Sequence, residues 1–138
     1  MKHPEFDLQK AICRYLDAQW PKILYMSDTV ASLKLAKTQA TRNKAIQKQG
    51  FKTPDLIIFH PNKYFHALFL ELKVKSPYQR NGKLYANEHL EGQEATLNDL
   101  AKLGYFAQFA WSFDMAKAII DNYLKDANLS LPITNGYV

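Results

Sequence analysis

The chain has 138 residues, 47% hydrophobic and 22% charged, which suits one globular domain and excludes disordered, collagen-like and low-complexity classes. Cys13 is the only cysteine, so an internal disulfide, a zinc ribbon and a CxxC redox centre are excluded, and a reducing cytoplasm is the expected compartment. The formal charge of +5 is unevenly spread: residues 30–54 hold Lys34, Lys37, Arg42, Lys44, Lys48 and Lys52 but no acidic residue, a field suited to a polyanion.

Pro4 fits the first turn of a helix, and Leu8, Ile12, Tyr15 and Leu16 recur at helical spacing until Trp20 and Pro21 stop it. No signal-peptide core precedes this helix, and no stretch approaches the roughly 18 apolar residues of a membrane span, so no membrane association is expected. Ile23 to Met26 reads as a short strand. A polar, basic helix is predicted from about Ser32 to Gln49, with Gly50 as its stop. Residues 55–60 have the β-branched and aromatic content of a buried strand, Pro61, Asn62 and Lys63 turn the chain, and Phe65 to Val74 forms a second strand antiparallel to the first. The polar loop from Pro77 to Tyr85, around Gly82, reads as mobile and as a candidate ligand contact. A helix from about Leu90 to Leu103 stops at Gly104, Tyr105 to Trp111 forms a strand, and Ser112 caps a last helix marked by Phe113, Ala116, Ile120, Tyr123 and Leu124. The expected class is α/β, a single domain over residues 1–138 with a mixed central sheet flanked by helices.

Three ionisable residues interrupt apolar strand sequence. Asp55 opens one strand, while Glu71 and Lys73 sit inside the run from Leu68 to Val74. Residues two apart share a strand face, so Glu71 and Lys73 point one way and Leu70, Leu72 and Val74 pack on the other. A hairpin symmetric about Lys63 sets Asp55 opposite Glu71, with Cβ atoms roughly 4.5–5.5 Å apart. Two carboxylates at that distance repel, and a hard cation such as Mg²⁺ or Mn²⁺ would relieve the repulsion. Lys73 could then position a nucleophile or neutralise developing charge. The plain structural alternative is that Glu71 and Lys73 decorate a half-exposed strand and Asp55 is a turn residue after Pro54.

Glu5 lies three, seven and eleven residues before Leu8, Ile12 and Leu16, on the expected inward face of the first helix, where a carboxylate needs a partner such as a metal. Favourable charge at a helix N-terminus is its alternative reading. Gln93 shares a face with Leu90, Leu97 and Leu100, and could hold a water, Lys73 or a phosphate, or be a satisfied core amide. Lys34, Lys37, Lys44 and Lys48 fall on or near one face of a continuous basic helix, as phosphate contacts would, although solvated surface lysines give the same pattern. Tyr78, Arg80, Lys83 and Tyr85 could add backbone or stacking contacts.

Thr53, Pro54 and Asp55, followed sixteen residues on by Glu71, Leu72 and Lys73, resemble the PD…(D/E)XK signature of restriction-endonuclease-like enzymes. The wider pattern is similar to the VRR-NUC family of virus-type replication and repair nucleases. It comprises an early helix with Glu5 and Gln9, Gly50 ahead of the Pro-Asp strand, the Glu-Leu-Lys strand end, and Gln93 on a helix closed by Leu103, Gly104 and Tyr105. Thr53 stands where that family more often has glycine. The resemblance implies a restriction-endonuclease-like core and Mg²⁺- or Mn²⁺-dependent cleavage of DNA phosphodiesters in repair, with Asp55, Glu71, Leu72 and Glu5 holding the metal and Lys73 and Gln93 acting in catalysis. It also implies a cytoplasmic protein, with a phage or prophage as one source, acting as a homodimer on branched DNA such as Holliday junctions. A nickase, an exonuclease acting on ends, and a non-catalytic DNA-binding module of the same fold are the alternatives.

Overall fold

In the computed structural model, which describes residues 3–27, 36–125 and 127, four helices and four strands alternate in the expected order. They are α1 (Pro4–Gln19), β1 (Tyr25–Ser27), α2 (Lys37–Ala45), β2 (Leu56–Ile58), β3 (Leu68–Leu72), α3 (Glu88–Lys102), β4 (Phe106–Ala110) and α4 (Phe113–Lys125). The strands form one sheet in the order β1-β2-β3-β4. β1, β2 and β3 pair antiparallel and β4 joins β3 in parallel, so the sheet is mixed as predicted.

Strand alternation divides the sheet into two covered faces. Leu56, Ile58, Leu68, Leu70 and Leu72 point to one side and pack with Ile12 and Leu16 of α1 and Ala116, Ile120 and Leu124 of α4, all buried. This is the main core. The opposite face carries Ile57, Phe69, Glu71 and Phe109, and α3 lies over it through Gln93, Thr96, Leu97 and Leu100, the buried positions of that helix. The spacing of four buried residues over two turns is what a helix needs to cover a sheet with one stripe.

Local chemistry fixes the ends of these elements. Pro4 opens α1, Asn87 Oδ1 accepts a hydrogen bond from the Leu90 N–H at the start of α3, and Ser112 Oγ accepts one from the Met115 N–H at the start of α4. Asn62 makes the β2–β3 turn: its Oδ1 accepts from the N–H groups of Tyr64 and Phe65, and its Nδ2 donates 3.1 Å to the Tyr123 carbonyl on α4. Because that side chain takes up the N–H groups at the turn, β3 starts at Leu68 rather than Phe65, and β2 ends at Ile58.

Two expectations need correction. The basic helix runs only over Lys37–Ala45; residues 32–35 lie outside the described part, and residues 46–49 leave the helix. α2 buries none of its residues, so no tertiary packing extends it. Val74 does not pack on the core face, because β3 ends at Leu72 and Val74 is 49% exposed.

α3 stops at Gly104, whose φ of 94° is left-handed, and an added Cβ there would lie 2.7 Å from the His66 ring. Gly104→Ala is therefore expected to destabilise the fold by about 1–2 kcal/mol, from the backbone conformation alone if the ring moves aside. Denaturant unfolding should show a lower midpoint at unchanged slope. An unchanged midpoint would mean that the turn relaxes without strain.

Candidate active site

The β2–β3 register pairs Leu56 with Leu70, Ile57 with Phe69 and Ile58 with Leu68. One step further it sets Asp55 opposite Glu71, as a turn centred on Lys63 requires. The Lys73 N–H donates to the Ala110 carbonyl on β4, whereas the Leu72 N–H points back to β2 and donates 2.8 Å to Asp55 Oδ2. Residues of β3 with the parity of Glu71 thus bond toward β4, so Asp55 and Glu71 face each other at a non-hydrogen-bonded position, where side chains approach most closely. The carbonyl of Leu72 points to the same side as its N–H, toward Asp55.

Glu71 is almost fully buried, 4% exposed, between the sheet and α3, with Phe109 beside it on β4. Gln93 Nε2 donates to Glu71 Oε1 at 2.6 Å. Burial pushes the Glu71 carboxyl up to about 9, and the negative charge of Asp55 acts in the same direction while Lys73 opposes it. Burial also raises Asp55, against the Leu72 N–H and Lys73, which favour its ionised form. Both carboxyl groups are raised, so the pair retains a proton that free carboxyl groups would release. Lys73 is half-buried and makes no ion pair among the described residues, so its ammonium is available to a third party.

The oxygen donors suit a hard divalent cation. Two carboxylates sharing one proton offer a cation the place of that proton, and Oε1 of the buried Gln93 has no hydrogen-bond partner among the described residues. The acidic cluster is a pair: no set of three or more His, Cys, Asp or Glu side chains able to hold a metal occurs among the described residues. Glu5 is exposed on the first turn of α1, not turned into the core as its spacing suggested; the buried positions of α1 begin only at Gln9. Its charge still raises both carboxyl groups of the pair.

A supporting layer has no counterpart in the sequence reading, which named Gln9 only within the family pattern and did not single out Ser27. Gln9, buried on α1, donates from Nε2 to Ser27 Oγ at 2.6 Å and to the Asp55 carbonyl at 3.3 Å, and Ser27 Oγ donates 3.1 Å to the same carbonyl. These bonds tie α1 and the end of β1 to the backbone of Asp55. A polar residue one turn before Ile12 and Leu16 on a core-facing stripe was the available signal.

No family model matches the sequence, and no curated protein does. Among solved structures, one described as a VRR_NUC domain protein is similar over 93% of each chain, at 23% identity and a TM-score of 0.60. The chain has the fold of that VRR_NUC domain. The expected α/β architecture, a mixed sheet flanked by helices, is therefore the one this chain adopts, and its overall fold is shared with a protein so described.

Within this VRR_NUC fold the basic residues do not form one helical face. Lys37, Arg42 and Lys44 are exposed on α2; Lys48 is exposed beyond its end, and Lys34 lies outside the described residues. Lys52 stands apart, its stem against Gly92 of α3 and its N–H donating to Thr96 Oγ1. The Pro77–Tyr85 loop, expected to be mobile, is internally tied: Tyr78 bridges Leu84, the Gln79 N–H donates to the Lys83 carbonyl, and the Tyr85 N–H donates to Pro77. Tyr78 packs edge-on against Phe109 and Trp111, which makes it a structural anchor rather than a stacking residue. Arg80, Lys83 and Tyr85 remain exposed.

The raised Glu71 carboxyl has a measurable consequence. The folded protein retains a proton that the unfolded chain releases, so stability falls as pH rises from the ordinary value of 4.5 through about 9. In chelator, the thermal midpoint of the wild type should drop across that range more steeply than that of Glu71→Gln. If a cation takes the place of that proton, Mg²⁺ should raise the wild-type midpoint more at pH ~8 than at pH ~5. Parallel pH profiles of the two proteins would contradict a shared proton.

Proposed function

We propose that the protein is a metal-dependent deoxyribonuclease of the VRR-NUC type, cutting phosphodiester bonds of structured or branched DNA. The observation that carries this reading is the buried Glu71 set across a hairpin from the half-buried Asp55, beside a half-buried Lys73 that makes no ion pair among the described residues. Asp55, Glu71 and the Leu72 carbonyl would hold Mg²⁺ or Mn²⁺, with Glu5 at the rim. Bound there, the cation would supply an activated water and a polarised phosphoryl oxygen.

The chain's own residues orient and exclude. The Leu72 N–H fixes one carboxylate oxygen of Asp55, the Gln9–Ser27 bonds fix its backbone, and Gln93 fixes Glu71. Both carboxylates are thus held before any ligand arrives, which is what makes electrostatic catalysis effective. The Lys73 ammonium can hydrogen-bond a nucleophile or a phosphate oxygen on the pair's face of the strand. Gln93 Oε1, which has no partner among the described residues, offers an acceptor to the same water or ammonium.

Phosphate backbone would be engaged away from the chemistry, along the exposed Lys37, Arg42, Lys44 and Lys48. A four-way junction needs two cuts and each chain has one carboxylate pair, so a C2 homodimer is the assembly that fits such a substrate. Labelled single-stranded, duplex, flap and four-way-junction DNA distinguish junction resolution from nicking or end trimming by the position of the products.

Asp55→Ala and Glu71→Ala should each reduce cleavage to background while DNA binding is retained. Lys73→Ala should lower kcat by about 10²–10³-fold with little change in affinity. Wild-type turnover in Asp55→Ala would rule out this site, and a Lys73 effect confined to affinity would demote it to a binding residue.

Each lysine that neutralises a phosphate adds roughly 0.7–0.9 to the salt dependence of binding. Replacing Lys37, Lys44 and Lys48 together should make the log–log slope shallower by about 2–3, with cleavage at saturating DNA preserved. An unchanged slope would leave α2 a solvated helix with no part in binding.

A further inference from the structure

Next to the carboxylate pair is a cavity of about 360 Å³ between the first turn of α1, the segment after β3 and the start of α3. It has two kinds of wall. Val74, Pro77, Tyr85 and Leu90 give apolar surface, and Tyr85 is 51% exposed, its ring free to be covered. Lys73 and Lys75 supply positive charge at one side, and Asn87 a side-chain amide whose Nδ2 has no hydrogen-bond partner among the described residues. Lys73 belongs to both places, because its charge also acts on Asp55 and Glu71. Whatever enters the cavity is therefore a neighbour of the group being cut.

We infer that this cavity receives the base of an unpaired nucleotide adjacent to the scissile phosphate, so that the enzyme recognises DNA in which one nucleotide there has left its pair. The inference rests on the nuclease reading and names its substrate class more narrowly. A phosphate is disfavoured inside, since Glu5 lines the cavity and most of its surface is apolar. A base has an uncharged, flat, apolar face for Tyr85 and a polar edge for Asn87, while Lys73 and Lys75 meet the phosphates flanking it. A base held in a duplex cannot occupy such a recess and its pair at once. The volume lies at the small end of ligand pockets, which suits one base and not a stacked pair.

The test uses the full chain and duplexes carrying a single unpaired 2-aminopurine at successive positions around the mapped cut, in chelator so that the strand stays intact. Anisotropy reports binding and 2-aminopurine fluorescence reports stacking. At one position next to the cut, binding should quench the fluorophore. Tyr85→Ala should abolish that quench and weaken binding of this duplex by about 5- to 150-fold, whereas Tyr85→Phe should retain both. Leu90→Trp, which fills the recess, should also remove the quench. With Mg²⁺, an unpaired nucleotide at that position should raise kcat/KM over the fully paired duplex, and an abasic site there should lose the gain. Binding and cleavage with unquenched fluorophore at every position would overturn this inference and leave the nuclease reading standing. Failure to bind or cut any DNA would overturn both.

Discussion

Two carboxyl groups are forced together in the interior of this protein, and most of what surrounds them follows from that. The hairpin register sets Asp55 against Glu71, and the face under α3 closes over Glu71, which is 4% exposed. An ionised pair in such a place would be strongly unfavourable, so in the protein alone a proton remains with Glu71. A purely structural sheet would gain from an apolar pair at this position, as it has at Ile57 and Phe69 one step along the same face.

The surrounding structure keeps that pair in place, while the Leu72 N–H and Lys73 work against the burial that raises Asp55. Asn62 sets the register by fixing the turn, and its second bond to the Tyr123 carbonyl ties the turn to α4 on the core side. Gln9 and Ser27 hold the Asp55 backbone from α1 and β1, and Gln93 holds Glu71 from α3. Each constraint comes from a different element, so small movements of any one helix are resisted by the others. The same elements bury the large apolar side chains, which means that folding and assembly of the site are one event.

Much of this was legible in the sequence because the residues involved violate a local pattern. Asp55, Glu71 and Lys73 interrupt apolar strands, Gln93 interrupts the stripe of Leu97 and Leu100, and the period-2 spacing gave the faces correctly. The turn residues between the strands were enough to place Asp55 opposite Glu71. What the sequence did not show depended on long-range packing. The inward face assigned to Glu5 assumed that α1 is buried along its whole length, whereas its first turn is exposed and its buried positions begin at Gln9. The length of α2 was overestimated because basic composition alone does not end a helix; the absence of anything to pack against does. The Pro77–Tyr85 loop has the composition of a mobile segment, and only the contact of Tyr78 with Phe109 and Trp111, more than thirty residues on, fixes it.

The location of the site at one end of the sheet also has a physical reason. α1 and α4 take one face and α3 the other, so side chains in the middle of the strands are committed to packing. At the end where β2 begins and β3 finishes, the pleat still dictates direction but the covering helices are running out. Asp55 precedes its strand and Lys73 follows its own, so each belongs half to the sheet and half to the surface. Glu71 is the last residue of its face that α3 still covers. The result is a gradient of burial across three neighbouring groups, from the closed Glu71 through Asp55 to the half-open Lys73, within a few ångströms of a cavity. Such a gradient supplies a desolvated carboxylate and an accessible cation from one strand, without a loop having to fold over to complete the site.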